Sequence, residues 1–226
     1  RGASRGGGAP LLRLVGSPRG GRRQQVDSGR PTRETAMRPL RLVSMLLVWG
    51  QMLLDVPHLG HATTFVVNST TDAVDASPGD GVCDVGGGVC TLRAAIQETN
   101  SLSGADEIIL PANTYVLTNV SQLSITSRLT ITGSGASTTI IDGNKSVRPN
   151  SRVLVAGSGI TVNISGVTIR NGGTAGGGGG IFNAGTLTLS NSTVSGNAAG
   201  GDGGGIHNVA GGTLTLTNST VIGNDS

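Results

Sequence analysis

The sequence predicts an all-β chain wound as a parallel β-helix, a solenoid of short stacked coils with a small helical cap at its N-terminal end. Three observations carry this. First, 39 of 226 residues are Gly and only Phe65, Phe182, Tyr115 and Trp49 are aromatic, against a usual Gly content of ~7%. That leaves too few rings for an ordinary globular core, and the Gly lacks the strict every-third-residue period of collagen. Second, the chain repeats. Gly180-Ile181-Phe182-Asn183 returns 25 residues later as Gly205-Ile206-His207-Asn208, and Thr186 to Asn197 returns after 27 as Thr213 to Asn224. A weaker copy stands 25 residues upstream, where Val162, Ile164 and Ile169 precede Leu187, Leu189 and Val194. Third, each unit alternates Leu-Thr-Leu, which puts aliphatics on one face and Thr, Ser or Asn on the other, the period of a half-buried strand.

Short strands of this kind cannot bury their apolar face alone, but stacked at ~4.8 Å they build a continuous aliphatic column and satisfy each other's backbone groups. One repeat is then one coil. The spacing predicts three inward stacks: Val162/Leu187/Leu214, Ile164/Leu189/Leu216 and Ile169/Val194/Val221, with Thr161, Thr188 and Thr215 pointing outward. Gly, Asn, Ser and Thr supply the corners.

Taken from the N-terminus, residues 1–36 are Arg, Gly, Ser and Pro without hydrophobic periodicity. They read as a basic disordered leader or as upstream read-through before Met37. Residues 37–62 resemble a secretory signal peptide. Arg38 and Arg41 form a positive start, Leu42 to Leu54 run without a charge, and Gly60-His61-Ala62 offers small residues at the minus-three and minus-one positions. Cleavage after Ala62 leaves Thr63 first, and thirteen apolar residues fall short of the ~20 needed to span a bilayer, so no transmembrane span is expected beyond this segment. Ten of the 16 basic residues lie before position 45, and from Thr63 onward six basic residues face ten acidic ones. The basic pI therefore belongs to the leader, which removes the support for a nucleic-acid partner.

Residues 63–111 read as the cap. Thr63 to Asn68 form a short strand, Thr71 to Asp84 an acidic loop, and Thr91 opens a helix whose Leu92, Ala95, Ile96 and Thr99 mark one apolar face ending near Asn100 to Gly104. Thr91 serves as N-cap, with Ala94 where a capping box would have Glu or Gln. Cys83 and Cys90 are the only cysteines. The Gly-rich segment between them is flexible enough to bring the sulfurs together, and an exported chain favours a disulfide. Two Cys without a nearby His make neither a zinc site nor a catalytic thiol. An amphipathic helix at this position would cover the open apolar end of the coils over residues 112–226. Because Ser226 directly follows a repeat, truncation at the C-terminus is expected.

The segment Cys90-Thr91-Leu92-Arg93-Ala94-Ala95-Ile96-Gln97-Glu98-Thr99-Asn100 resembles the Cys-Ser-Leu-Arg-Glu-Ala motif that names the CSLREA domain of exported, mostly bacterial proteins. The flanks agree, with Pro78-Gly79-Asp80-Gly81-Val82-Cys83 before it and Gly104-Ala105-Asp106-Glu107-Ile108-Ile109-Leu110-Pro111-Ala112 after it. Ala94 replaces the usual Glu and Thr99 the usual Ala. The resemblance implies an N-terminal cap on a right-handed parallel β-helix and no activity.

Candidate chemistry is sparse. Glycoside hydrolysis needs two carboxylates ~5 to 9.5 Å apart, and the coils offer only Asp142, Asp202 and Asp225, whose separations of 60 and 23 residues miss the repeat steps. A lyase could take a base from Arg128, Arg148, Arg152 or Arg170, but no Asp cluster for a metal accompanies them. Asp72, Asp75, Asp80 and Asp84 fit no established calcium loop and read as solvated loop carboxylates. Gly200 to Gly205 surrounds Asp202 as a single turn, not a calcium-binding array. His207 takes the place of Phe182 and reads as an exposed strand residue. The sequons at Asn68, Asn119, Asn144, Asn163, Asn191 and Asn218 matter only in a glycosylating host. No catalytic, cofactor or metal residue is assigned. The expectation is the N-terminal part of an exported, non-catalytic surface protein for adhesion or envelope scaffolding, with an extracellular polysaccharide or a cell-surface ligand as partner. The alternative is a polysaccharide-cleaving β-helix enzyme, a lyase or glycoside hydrolase, whose active site is not evident in this segment; that alternative rests on fold analogy.

Overall fold

The computed structural model describes residues 60–226. The basic leader at 1–36 and the signal segment up to residue 59 lie outside the described residues. The chain winds as a right-handed parallel β-helix of about four turns, built on three long sheets. The first has six strands: β1 (Thr64–Val66), β2 (Asp106–Leu110), β5 (Leu129–Gly133), β8 (Thr161–Ser165), β12 (Thr186–Ser190) and β16 (Thr213–Thr217). The second has five: β3 (Asn113–Val116), β6 (Thr139–Asp142), β9 (Thr168–Arg170), β13 (Thr193–Ser195) and β17 (Thr220–Ile222). The third has four: β4 (Leu123–Ile125), β7 (Leu154–Ala156), β11 (Ile181–Asn183) and β15 (Ile206–Asn208). A two-stranded ladder of β10 (Gly173–Thr174) and β14 (Ala198–Ala199) joins the last coils.

The register makes the core. Phe65, Ile108, Ile131, Ile164, Leu189 and Leu216 lie one above another in the first sheet, beside Leu129, Val162, Leu187 and Leu214. Tyr115, Ile141, Ile169, Val194 and Val221 form the matching column of the second sheet. All three predicted stacks are therefore present. Thr161, Thr188 and Thr215 lie on the outward face as expected, in two different rows: Thr161 stands above Thr186 and Thr213, while Thr188 pairs with Asn163 and Thr215. The two rows are two positions apart along the strand and so share one face.

The columns are closed to water in the middle and open at the far end. Ile164, Leu187 and Leu189 are fully buried, whereas Leu216 and Val221 are each 45% exposed. Each fully buried aliphatic contributes roughly 1.5–3 kcal/mol over an exposed one. At the corner after the first sheet the backbone needs positive φ, supplied by Gly166 (64°), Asn191 (49°) and Asn218 (47°). Asn tolerates that region better than other side-chain-bearing residues, which explains its recurrence there.

The cap helix α1 (Leu92–Ser101) matches the predicted one, with Thr91 Oγ1 accepting from the Ala94 N–H at 3.1 Å. Leu92, Ala95 and Ile96 pack into the core, so the helix covers the first coil. Its other side is covered as well: Arg93, Ala94 and Glu98 are also buried. The acidic loop folds over that side, and Glu98 accepts the Gly79 and Gly81 amide N–H groups through its two carboxylate oxygens.

Candidate functional site

The cap is held by local chemistry that the sequence places together. Cys83 and Cys90 are joined as a disulfide with their Cα atoms 5.1 Å apart. Asp80 is exposed as expected, but Asp72, Asp75 and Asp84 are buried or partly buried, which corrects the expectation for these three. Asp84 Oδ1 accepts the amides of Gly86, Gly88 and Val89, tying down the Gly-rich bridge inside the disulfide. Asp75 accepts from Ser77 and Asp84, and Asp80 from Val82. Asp72 reaches furthest: it pairs with Arg93 Nε at 2.6 Å and accepts the Thr118 and Asn119 amides of the first coil at 2.7 and 2.6 Å. Burial pushes its carboxyl up. The Arg93 hydrogen bond, the two amides and the Arg93 charge outweigh that and hold it below the usual carboxylate value. These oxygens are engaged in shaping the loop, and among the described residues no three His, Cys, Asp or Glu side chains gather as a metal site.

A second buried cation lies nearby. Arg148, in the loop that lengthens the coil between β6 and β7, donates to the Gly143 and Ser121 carbonyls and to Ser151 Oγ. Burial lowers its pKa, and the charge of Arg93 adds to that against the opposing pull of Asp72. Arg148 thus links its loop to the first coil at Ser121, where the sequence had offered it as a candidate base.

On the coils, Asp142 and Arg170 meet at 2.8 Å. Asp142 Oδ2 also accepts from Asn171 Nδ2, and Oδ1 from the Asn144 N–H. Asp142 ends a strand and is 8% exposed. It borders an open cleft lined by Val116, Asn144, Lys145, Ser146 and Asn171. Lys145 Nζ donates to the Gly196 carbonyl at 2.6 Å. Asp202 and Asp225 are exposed, and their carboxylates accept no hydrogen bond from the described residues. The structure therefore joins Asp142 to Arg170 and does not assemble a carboxylate pair from the three candidates. Arg128 is exposed at the start of the second coil.

The third sheet carries a feature that sequence reasoning missed. Phe182 and His207, in register on adjacent coils, stack at 5.4 Å between centroids with planes 9° apart, and the Arg152 guanidinium lies 4.9 Å from the Phe182 ring centroid. Arg152 Nε is anchored on the Gly177 carbonyl at 2.6 Å. His207 is accordingly half-buried, not an exposed strand residue. The 25-residue repeat already set Phe182 and His207 at equivalent positions, and their flat rings made stacking the physical consequence. Glu98, buried inside the cap, was likewise unassigned; its helical position gave no sign of the loop that folds over it.

Comparison with protein-family models, with curated proteins and with solved structures finds no match.

Proposed function

We propose that this chain is the N-terminal part of an exported, non-catalytic β-helix surface protein that displays its coil faces as an adhesion or envelope scaffold. The observation that carries this reading is the disulfide-closed cap seated on the end of a solenoid. A Cys83–Cys90 bond persists in oxidising compartments, which is where the signal-like segment at 37–62 would deliver the chain. The resemblance to the CSLREA domain supports the same placement.

The non-catalytic part is supported by how the polar side chains are used. Asp142 is engaged by Arg170, Asn171 and the Asn144 amide, and the cap carboxylates by backbone N–H groups. What the coils offer outward is rows such as Thr130/Asn163/Thr188/Thr215 on the first sheet, which pair in register. Regularly spaced hydroxyl and amide groups suit shallow, multivalent hydrogen bonding to a polysaccharide or cell-surface glycan.

The test is to express the full chain in a secreting host, map the mature N-terminus by mass spectrometry, and measure retention of the secreted protein on immobilised acidic and neutral polysaccharides. Secretion, retention and no release of soluble sugar fragments are expected. Release of fragments that stops on Asp142→Asn or Arg170→Ala would replace this reading with the cleaving enzyme.

A further inference from the structure

We propose that Asp106 is a built-in receptor for the α-ammonium group that cleavage between Ala62 and Thr63 creates, so that removal of the leader locks the cap onto the first coil. The proposal rests on the export reading for the cut itself; the receptor is argued from the fold.

Asp106 begins β2 on its inward-facing side, in line with Ile108 and Leu110 and above Leu129 at the cap end of the aliphatic column. Only 1% of it is exposed. A carboxylate there is expensive unless it is paired. In the uncut chain its partner among the described residues is a single neutral donor: the Thr63 amide N–H donates to Oδ1 at 2.9 Å. Oδ2 is buried with no hydrogen-bond partner among the described residues.

Among the described residues, the nitrogen that donates to this carboxylate is the one that the signal-like Gly60-His61-Ala62 would release. Thr63 is already fixed there, because its carbonyl accepts from the Glu107 N–H at 2.8 Å. Gly60, His61 and Ala62, by contrast, are exposed. Hydrolysis of the Ala62–Thr63 bond consumes one water. Ala62 leaves with the carboxylate, and the Thr63 nitrogen takes up protons to become an ammonium. One amide proton then becomes three, enough for both Asp106 oxygens, and the unpaired buried charge gains a charge of opposite sign on the atom already at hydrogen-bond distance. Charge-assisted bonds of this kind are about twice as strong as neutral ones.

A chain in which a specific protease site replaces residues 57–62 generates Thr63 at the N-terminus in vitro, whether or not export occurs, and so separates failure of this proposal from failure of the export reading. The cut chain is expected to melt about 2–4 °C above the same chain uncut. Asp106→Asn should lower the melting temperature of the cut chain and leave that of the uncut chain unchanged or higher. Equal effects of Asp106→Asn on both forms would overturn the proposal. Should that variant fail to fold, acylation of the unsubstituted cut chain decides: the Thr63 amine should react at least tenfold more slowly folded than in denaturant, and equal rates would refute the pairing.

Discussion

Asn197 donates from Nδ2 to Oδ1 of Asn224, 2.9 Å away on the next coil. Each of the two also donates to the strand one coil below, Asn197 to the Ile169 carbonyl and Asn224 to the Val194 carbonyl, and Ile169 and Val194 are themselves register partners. The same side chain thus closes the same corner on successive coils. Each supplies the hydrogen bonds that the turning backbone cannot make with itself.

Asn197 is fully buried, and its Oδ1 accepts the Gly172 N–H at 2.8 Å. Asn197→Ala leaves that N–H and the Ile169 carbonyl without this partner, at a cost of about 1–3 kcal/mol for each buried group left unpaired. Asn224→Ala, at the more open end, should cost less because water can replace the lost partner. Urea unfolding of the two variants measures the difference, and a larger loss for Asn224→Ala would contradict this account.

The cap should loosen in acid before the coils do. The Asp72 carboxyl is held below its ordinary value in the folded state. Its contribution is therefore present above the unfolded carboxyl pKa of about 3.9 and is lost as pH falls through the lower folded value. Hydrogen exchange should show the Thr118 and Asn119 amides losing protection below pH 4 while β12 stays protected. Asp72→Asn should remove this acid step and cost about 3–5 kcal/mol at neutral pH by leaving Arg93 buried without its partner.

Reduction of Cys83–Cys90 should be tolerated. Its sequence separation is 7, and a loop that short yields at most about 3 kcal/mol in the chain-entropy description. Asp84 continues to hold the bridge through three amides after reduction. A small fall in melting temperature with the parallel sheets intact by circular dichroism is expected. Global unfolding on reduction would show that the bond, not the hydrogen-bonded loop, maintains the cap.

The later coils were legible because Leu187/Leu214 and Val194/Val221 keep both spacing and chemistry. The pairing of the outward rows was not legible, because Thr repeats at every second position of these strands and polar residues alone do not fix which row pairs with which. The coil between Leu129 and Val162 was harder to read, since the inserted loop around Arg148 breaks the period. Asp106 was legible in principle: the alternation through Ile108 and Leu110 puts it inward, against the usual exclusion of charge from a core. Its partner was not, because Thr63 reaches it only through the strand pairing of β1 with β2.

The register separates two adjacent residues of β12 by face. Leu189 is fully buried between Ile164 and Leu216, while its neighbour Thr188 faces outward between Asn163 and Thr215. Leu189→Asp puts an unpaired charge into aliphatic surroundings on both sides. The carboxyl must then remain protonated or the adjacent coils must open, so loss of cooperative unfolding or a fall of many degrees in melting temperature is expected. Thr188→Asp adds the same group one residue away, on the solvent side, and should shift stability by no more than about 0.5 kcal/mol. Because successive strand residues alternate between faces, the contrast between these two adjacent positions tests the register directly. Equal tolerance at both would mean that the apolar column does not run through Leu189.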